Sequence, residues 1–232
     1  MKMDIHVLPT SEQRMRILIV DSCAYTFLGT SSFLADYPHI TLQQAASPEQ
    51  ALPMLRGAFF DVVLVNLTHH CRCSGPFPSL ADFFLLCGPA RVYIYLDAPY
   101  PTSTAPIPLS GRVALMNKHG LTALLPMLTA PCQPGGFITY TNNGYLFTRQ
   151  ELAVIVLWID HQKTNHQIAQ QLGICGRTVY VHKRHATQKL AVRNRLEFCS
   201  LYPMLKYVIF PPAYRRLTDN PLLAYLDYDL VP

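Results

Sequence analysis

Charge is scarce in this chain. Only 14% of its 232 residues are Asp, Glu, Lys or Arg, while half are apolar and 11% aromatic. So much apolar surface can offset the entropy of ordering by burial, which excludes an intrinsically disordered protein. Long apolar runs are also missing. No stretch of about 18 uninterrupted apolar residues occurs, so no transmembrane helix is predicted. The opening MKMDIHVLPT carries an acid at Asp4 and no apolar segment, so no secretory signal is predicted. The seven cysteines are odd in number and follow no repeating spacing. That pattern suits reduced thiols in a cytoplasmic protein better than a disulfide framework. No nucleophile–base pair and no phosphate-binding loop stands out, so neither an enzymatic activity nor a cofactor is expected.

The charge that is present is unevenly placed. Residues 1–132 hold eight Lys/Arg and eight Asp/Glu, and so balance. Residues 148–206 hold nine against three, and the tail from 207 holds two against three. A basic surplus confined to one segment suits a polyanionic partner.

The chain is long enough for two domains, and its periodicity divides it in two. Apolar runs predict strands over Arg16–Asp21, Ile40–Ala46, Phe59–Asn66, Arg91–Leu96 and Arg112–Met116. Helical stretches separate or follow them at Ala24–Asp36, Pro48–Gly57, Leu80–Cys87 and Gly120–Leu128. Strands joined by helical crossovers imply a doubly wound parallel five-stranded sheet, covered on both faces, over residues 14–130. Pro99, Pro101, Pro106 and Pro108 remove amide donors from the crossover before the last strand. A helix there is expected to be short or replaced by an extended loop.

Residues 131–146, uncharged and rich in Pro, Gly and Asn, read as a linker. Beyond it Leu152, Ile155, Val156 and Ile159 mark one face of a helix, with Thr148 and Glu151 spaced as a capping box. Further helices are predicted over Thr164–Leu172, Arg177–Leu190 and Arg193–Leu205. The turn Gly173-Ile-Cys175 joins the first two of these into a helix-turn-helix. The expectation for 147–206 is therefore an all-α four-helix domain. Residues 207–232 form an apolar tail with Phe210, Tyr214, Leu222, Leu223, Tyr225 and Tyr228. Packing against its own chain is the preferred reading of that tail, with docking on a partner as the alternative.

The series Phe147-Thr-Arg-Gln-Glu-Leu, Ile168-Ala-Gln-Gln-Leu-Gly, Thr178-Val-Tyr-Val-His and Lys189-Leu-Ala-Val-Arg-Asn-Arg resembles the DNA-binding domain of LuxR-type transcription regulators. The resemblance implies binding to double-stranded DNA. Tyr180, Val181 and Arg184 stand at positions that usually meet base edges, and Thr178, Lys183 and Lys189 match phosphate or edge contacts. Arg177 is available to the same surface, because Val179, Ala186 and Leu190 form the buried stripe of that helix. Tyr180 replaces the Lys often found at its position, so base preference is not carried over. His182 reads as structural, Cys175 as a small packing residue and Trp158 as core.

The runs Ile17-Leu-Ile-Val-Asp21, Asp61-Val-Val-Leu-Val-Asn66 and Met116-Asn-Lys118 resemble a response-regulator receiver domain. That family places an acidic pair, a phospho-acceptor Asp, a Ser/Thr and a Lys at the ends of its strands. Here those positions hold Asp21 and Ser22, Asn66, Asp97 and Lys118. An amide at Asn66 accepts no phosphoryl group, Asp97 repels one, and a single assured carboxylate makes a poor Mg²⁺ site. The expected reading is a receiver-like domain without phosphorelay chemistry, degenerate at these five positions. His69-His-Cys-Arg-Cys73 holds metal-ligand types, but adjacent residues do not readily all reach one tetrahedral ion. It reads as a polar loop with free thiols, and no metal site is assigned.

The two resemblances together imply a transcription regulator whose receiver-like domain acts in homo- or heterodimerisation, with itself or another LuxR-type regulator. The proline-remodelled segment 98–110 is the expected dimerisation face. Two alternatives remain open. One is a ligand-sensing regulator with a small molecule in the former phospho-pocket, and the other is an interaction protein that titrates a different regulator.

Overall fold

The structure is a computed structural model that describes residues 14–72, 77–130 and 146–210. In its first half, six strands alternate with helices. The strands are β1 (Met15–Val20), β2 (Ile40–Ala45), β3 (Val62–Asn66), β4 (Arg91–Leu96), β5 (Ile107–Ser110) and β6 (Val113–Asn117). The helices are α1 (Ala24–Leu34), α2 (Pro48–Gly57), α3 (Thr68–Arg72), α4 (Pro78–Leu86) and α5 (Leu121–Thr129). In the second half lie α6 (Arg149–Ile159), α7 (Asn165–Leu172), α8 (Gly176–Lys189) and α9 (Arg195–Ile209).

The sheet order is β2-β1-β3-β4-β6-β5, with every pair parallel except β5 and β6. The five expected strands are all there, in the doubly wound order that reverses direction between β1 and β3. The antiparallel sixth strand was not expected. The prolines do remove the crossover helix, and the chain instead returns as β5 along the free edge of β6. Pro108, which has no amide to donate, is tolerated because β5 is an edge strand with a register shift beside it.

Alternation along the strands sends side chains to opposite faces. Ile17, Ile19, Val62, Leu64, Tyr93, Tyr95 and Met116 pack against α1 and α5, with Leu34, Leu121, Leu124 and Leu128. Leu18, Val20, Val63, Val65, Ile94 and Leu115 pack towards α2 and α4. That second cluster does not stop at the sheet unit. It continues without a break into Leu152–Trp158 of α6, Val179 and Ala186 of α8, and Phe198–Phe210 along α9.

α9 makes the junction. It packs against α3, α4 and β5 as well as within the helical unit. Tyr207 Oη accepts from the Phe77 amide at 2.8 Å, and Ser110 Oγ donates to the Val208 carbonyl at 3.0 Å. This explains why α6 departs from its expected one-sided stripe. Every residue from Glu151 to Trp158 is buried, as in a helix inside a joined core. Segment 98–110 is tied to the helical unit as well. Thr102 donates from both its amide and its hydroxyl to the Ala191 carbonyl, each at 2.9 Å.

Two smaller differences concern local structure. His69, His70, Cys71 and Arg72 belong to the short helix α3 and not to a polar loop, with His70 and Cys71 buried. Cys73 lies outside the described residues, as do 131–145 of the expected linker and the tail from 211. Tyr207–Phe210 of that tail end α9 and are packed on their own chain. Among the described residues no helix is long and apolar enough to cross a membrane, and no group of three or more His, Cys, Asp or Glu is placed to hold a metal ion.

Candidate nucleic-acid interface

Each helix of the second unit starts on a side-chain cap. Thr148 Oγ1 accepts from the Glu151 amide at 3.3 Å, and Glu151 Oε2 accepts from the Thr148 amide at 2.8 Å, which completes the expected capping box. Thr164 and Gln167 repeat the arrangement on α7. Gly173 then takes φ 64°, a left-handed conformation that costs a residue with a Cβ far more, and the chain turns sharply into α8. Cys175 caps α8, its Sγ accepting from the Thr178 amide at 3.3 Å and lying 3.0 Å from the Thr178 hydroxyl, and the hydroxyl contact first, then the amide, lowers the thiol's pKa. The cysteine read as packing therefore acts as a cap and is exposed.

The stripe Val179, Ala186 and Leu190 is buried as expected and fixes the roll of α8. The same roll leaves Arg177, Tyr180, Val181 and Arg184 exposed, together with His185 and Gln188, while Thr178 is half-buried at the start of the helix. A long helix with two exposed guanidinium groups, one aromatic ring and an apolar side chain on its open face can enter a major groove. No described residue of the sheet unit covers this face.

Lys183 and Lys189 sit elsewhere. Lys183 Nζ donates to Asn165 Oδ1 at 2.6 Å and lies 4.9 Å above the Trp158 ring. Burial, and then the neighbouring Arg195 charge, push its pKa down to about 8. Lys189 Nζ pairs with Glu151 Oε2 at 2.6 Å, tying the end of α8 to the start of α6. Both cations therefore stiffen the helical unit and stand at the margin of the exposed face.

Glu151 is the centre of that tie. Burial works against its carboxylate, but hydrogen bonds from Lys189 and Thr148 outweigh the penalty and hold its pKa below the usual carboxylate range. A carboxyl lowered on folding stabilises the fold above the unfolded-state pKa, and that stabilisation is lost as pH falls through the folded value. Glu151→Gln keeps the capping box, as Gln167 does on α7, and is expected to cost about 1.5–3 kcal/mol at neutral pH from the lost charge-assisted bond to Lys189. Urea unfolding at pH 7 and at pH 3 measures this, with the difference from wild type shrinking at the lower pH.

The receiver-like pocket lies where β1, β3, β4 and β6 end, a cavity of about 700 Å³ lined by Asp21, Ser22, Cys23, Asn66, Thr68, His70, Asp97 and Lys118 among others. The five expected positions do come together here, and four of them have partners within the chain. Asp21 is buried, its Oδ1 accepting from the Cys23 amide at 2.9 Å and its Oδ2 from the Tyr95 hydroxyl at 2.8 Å. Burial, reinforced by the Asp21 charge, holds the Tyr95 phenol protonated far above its ordinary range. Asn66 Oδ1 accepts from Thr68 at both the amide (3.0 Å) and the hydroxyl (2.6 Å). Thr68 Oγ1 in turn accepts from the Asp97 amide at 2.8 Å. Lys118 Nζ pairs with Asp97 Oδ2 at 2.9 Å, and although burial opposes its charge, this partner raises its pKa. Ser22 is exposed at the pocket mouth.

Tyr95 and Thr68 were not picked out from the sequence. Thr68 had a legible signal, since an Asn followed two residues later by a hydroxyl at a strand end favours a local Asx turn. Tyr95 had a weaker one, a hydroxyl inside an otherwise apolar strand, whose partner Asp21 is 74 residues away.

Residues 146–201 match the family described as bacterial regulatory proteins, luxR family. The helical half therefore carries a helix-turn-helix domain of the luxR family. Among curated proteins the chain is similar to the transcriptional regulatory protein EntR of Citrobacter freundii, 28% identical over 196 residues that span 81% of this chain and 97% of that one. Among solved structures it is similar to RcsB in a structure of two RcsB dimers bound to two parallel DNAs, with 16% identity, a TM-score of 0.46 and coverage of 82% of this chain and 98% of the other. It is likewise similar to RcsB from Salmonella enterica serovar Typhimurium bound to promoter P1flhDC, with 10% identity, a TM-score of 0.46 and coverage of 83% and 99%.

Proposed function

We propose that this chain regulates transcription by binding double-stranded DNA through α8, and that its receiver-like unit works without phosphoryl transfer, as a dimerisation scaffold. The observation that carries the reading is the open face of α8. Arg177, Tyr180, Val181 and Arg184 are solvent-exposed while the helix itself is anchored by Val179, Ala186 and Leu190. Thr178, Lys183 and Lys189 complete the proposed interface at its margin. Guanidinium groups read guanine edges in pairs of hydrogen bonds, and the surrounding cations meet phosphates.

The pocket supports the second half of the proposal. A phosphoryl group needs a carboxylate acceptor, a cation beside it and a free lysine. Here the acceptor position is the amide Asn66, the buried carboxylate Asp21 is occupied by Tyr95 and the lysine is occupied by Asp97. The cavity volume of about 700 Å³ favours the ligand-sensing alternative. Its central polar groups already have partners within the chain, which favours the scaffold. Mass spectrometry of the protein purified under native conditions separates the two, since a retained small molecule supports the sensor.

DNA binding is tested on the full chain by titrating a fluorescent duplex at several salt concentrations. For about four to six neutralised phosphates the log–log slope is expected to be about −4 to −5. A slope near zero contradicts the proposed interface.

A further inference from the structure

The short helix α3 stands between two parts of the molecule. Its first residue, Thr68, closes the pocket network with Asn66 and Asp97. Its body packs against α9, the helix that joins the two units. His70 is at the centre of α3. It is 7% exposed, lines the pocket, and meets the Phe77 ring edge-on at 4.7 Å. The Phe77 amide in turn donates to Tyr207 Oη on α9. A path of contacts therefore runs from the pocket through His70 and Phe77 to the helical unit.

This imidazole is built into a place that suits only its neutral form. Nδ1 is buried and has no hydrogen-bond partner among the described residues. A protonated ring donates from both nitrogens, so a proton here sets a buried charge beside an N–H with nothing to accept it. The groups around it do not compensate. Burial pushes the His70 pKa below the ordinary imidazole value; Glu49 on α2 opposes this and His69 adds to it. Cys71 stays neutral, its thiol pushed up to about 12 by burial. Arg72 on α3 and Lys206 on α9 are cations, the second 5.5 Å from the Tyr207 ring. Asp21, Cys23, Asp97 and Lys118 line the same pocket, with Asp21 bonded to Tyr95 and Asp97 paired with Lys118. Asp82 on α4 is exposed to solvent.

We propose that His70 is a proton-controlled latch between the receiver-like unit and the helical unit: the neutral ring holds α3 and Phe77 against α9, and protonation releases them. A histidine whose pKa is lowered by packing takes a proton more readily when released than when packed. The contact is therefore at full strength above about pH 6.5 and weakens as pH falls below that value, until the packed ring is protonated too. α9 shares its core with Val179 and Ala186 of α8, so release at α3 reaches the helix-turn-helix. The setting of the DNA-binding unit against the sheet unit thus follows the proton concentration, through a residue that no phosphoryl chemistry requires.

The test needs no DNA, so its outcome is separate from that of the binding titration. Hydrogen exchange of the full chain is followed by mass spectrometry at about pH 7.5 and about pH 5.5, each rate corrected for its intrinsic pH dependence. In wild type, protection of α3, α4 and the last turns of α9 is expected to fall at least about threefold in acid, relative to protection of strands β1, β3 and β4. His70→Phe keeps a ring against Phe77 and takes no proton, and is expected to give the same relative protection at both pH values. His70→Gln, also uncharged, replaces it should that variant fail to fold. Wild-type protection that does not change in acid overturns the proposal. So does an acid loss that persists in His70→Phe, which assigns it to another group such as His182 on α8, whose two ring nitrogens are also buried without partners. A loss spread evenly over all strands and helices is general acid destabilisation and overturns it as well.

Discussion

Arg184→Ala is expected to weaken binding to the preferred duplex by about 10- to 100-fold, or about 1–3 kcal/mol, while changing affinity for random DNA far less. The side chain leaves α8 on its exposed face, one turn on from Tyr180 and three residues beyond Val181. Its guanidinium has no ion pair among the described residues, so it reaches a base without first breaking an internal bond. Arg184→Lys keeps the charge and loses the planar fork, and should recover non-specific affinity without recovering preference. Lys183→Ala is the contrasting control. Its ammonium is engaged with Asn165 and Trp158 at the edge of the face, so its loss should lower affinity for all sequences alike. Competition anisotropy at one fixed salt concentration distinguishes these outcomes, and equal losses on specific and random DNA from both variants would remove the assigned roles.

Leu205→Ala is expected to cost about 2–5 kcal/mol, the range for emptying a well-packed core site. The side chain is fully buried on α9, in the cluster that runs from the sheet into the helical unit. Because that core is shared, the two halves should unfold together. The chain provides its own reporter, since its single tryptophan, Trp158, sits in α6. Tryptophan fluorescence then follows the helical half, and far-ultraviolet circular dichroism follows both. Coincident denaturation curves for wild type, both shifted equally by Leu205→Ala, are the expected result. Two separated transitions, with only the fluorescence curve shifted, would show that the halves are thermodynamically independent.

Much of this architecture is legible in the residues themselves. Strands such as Val62–Asn66 are short apolar runs bounded by polar residues, and the caps Thr148 and Thr164 follow from local hydrogen bonding. What is not legible depends on contacts distant in sequence. α6 reads as one-sided because period alone reports the nearest partner, and its other face is buried by the second half of the core. The four prolines correctly forbid a helix, yet nothing local says that the segment returns as β5 or that Thr102 bonds to Ala191. The same division holds at the sites. The exposed residues of α8 follow from its buried stripe, whereas the Lys189–Glu151 pair spans 38 residues and gives an expected DNA contact an internal partner that the sequence does not announce. At the pocket, Asn66 and Asp97 announce the missing chemistry by residue type. The replacement bonds from Tyr95 and Thr68 emerge only when the strand ends are brought together.

The central claim is that this regulator binds DNA in a state its receiver-like unit does not switch by phosphorylation. The direct measurement is affinity for the preferred duplex, with and without acetyl phosphate and Mg²⁺, alongside intact-mass analysis of the same samples. Affinity and mass should be unchanged for wild type and for Asn66→Asp, because Asp21 remains engaged with Tyr95 and Lys118 with Asp97. A stable acyl phosphate on the wild-type chain, accompanied by tighter DNA binding, would contradict the account.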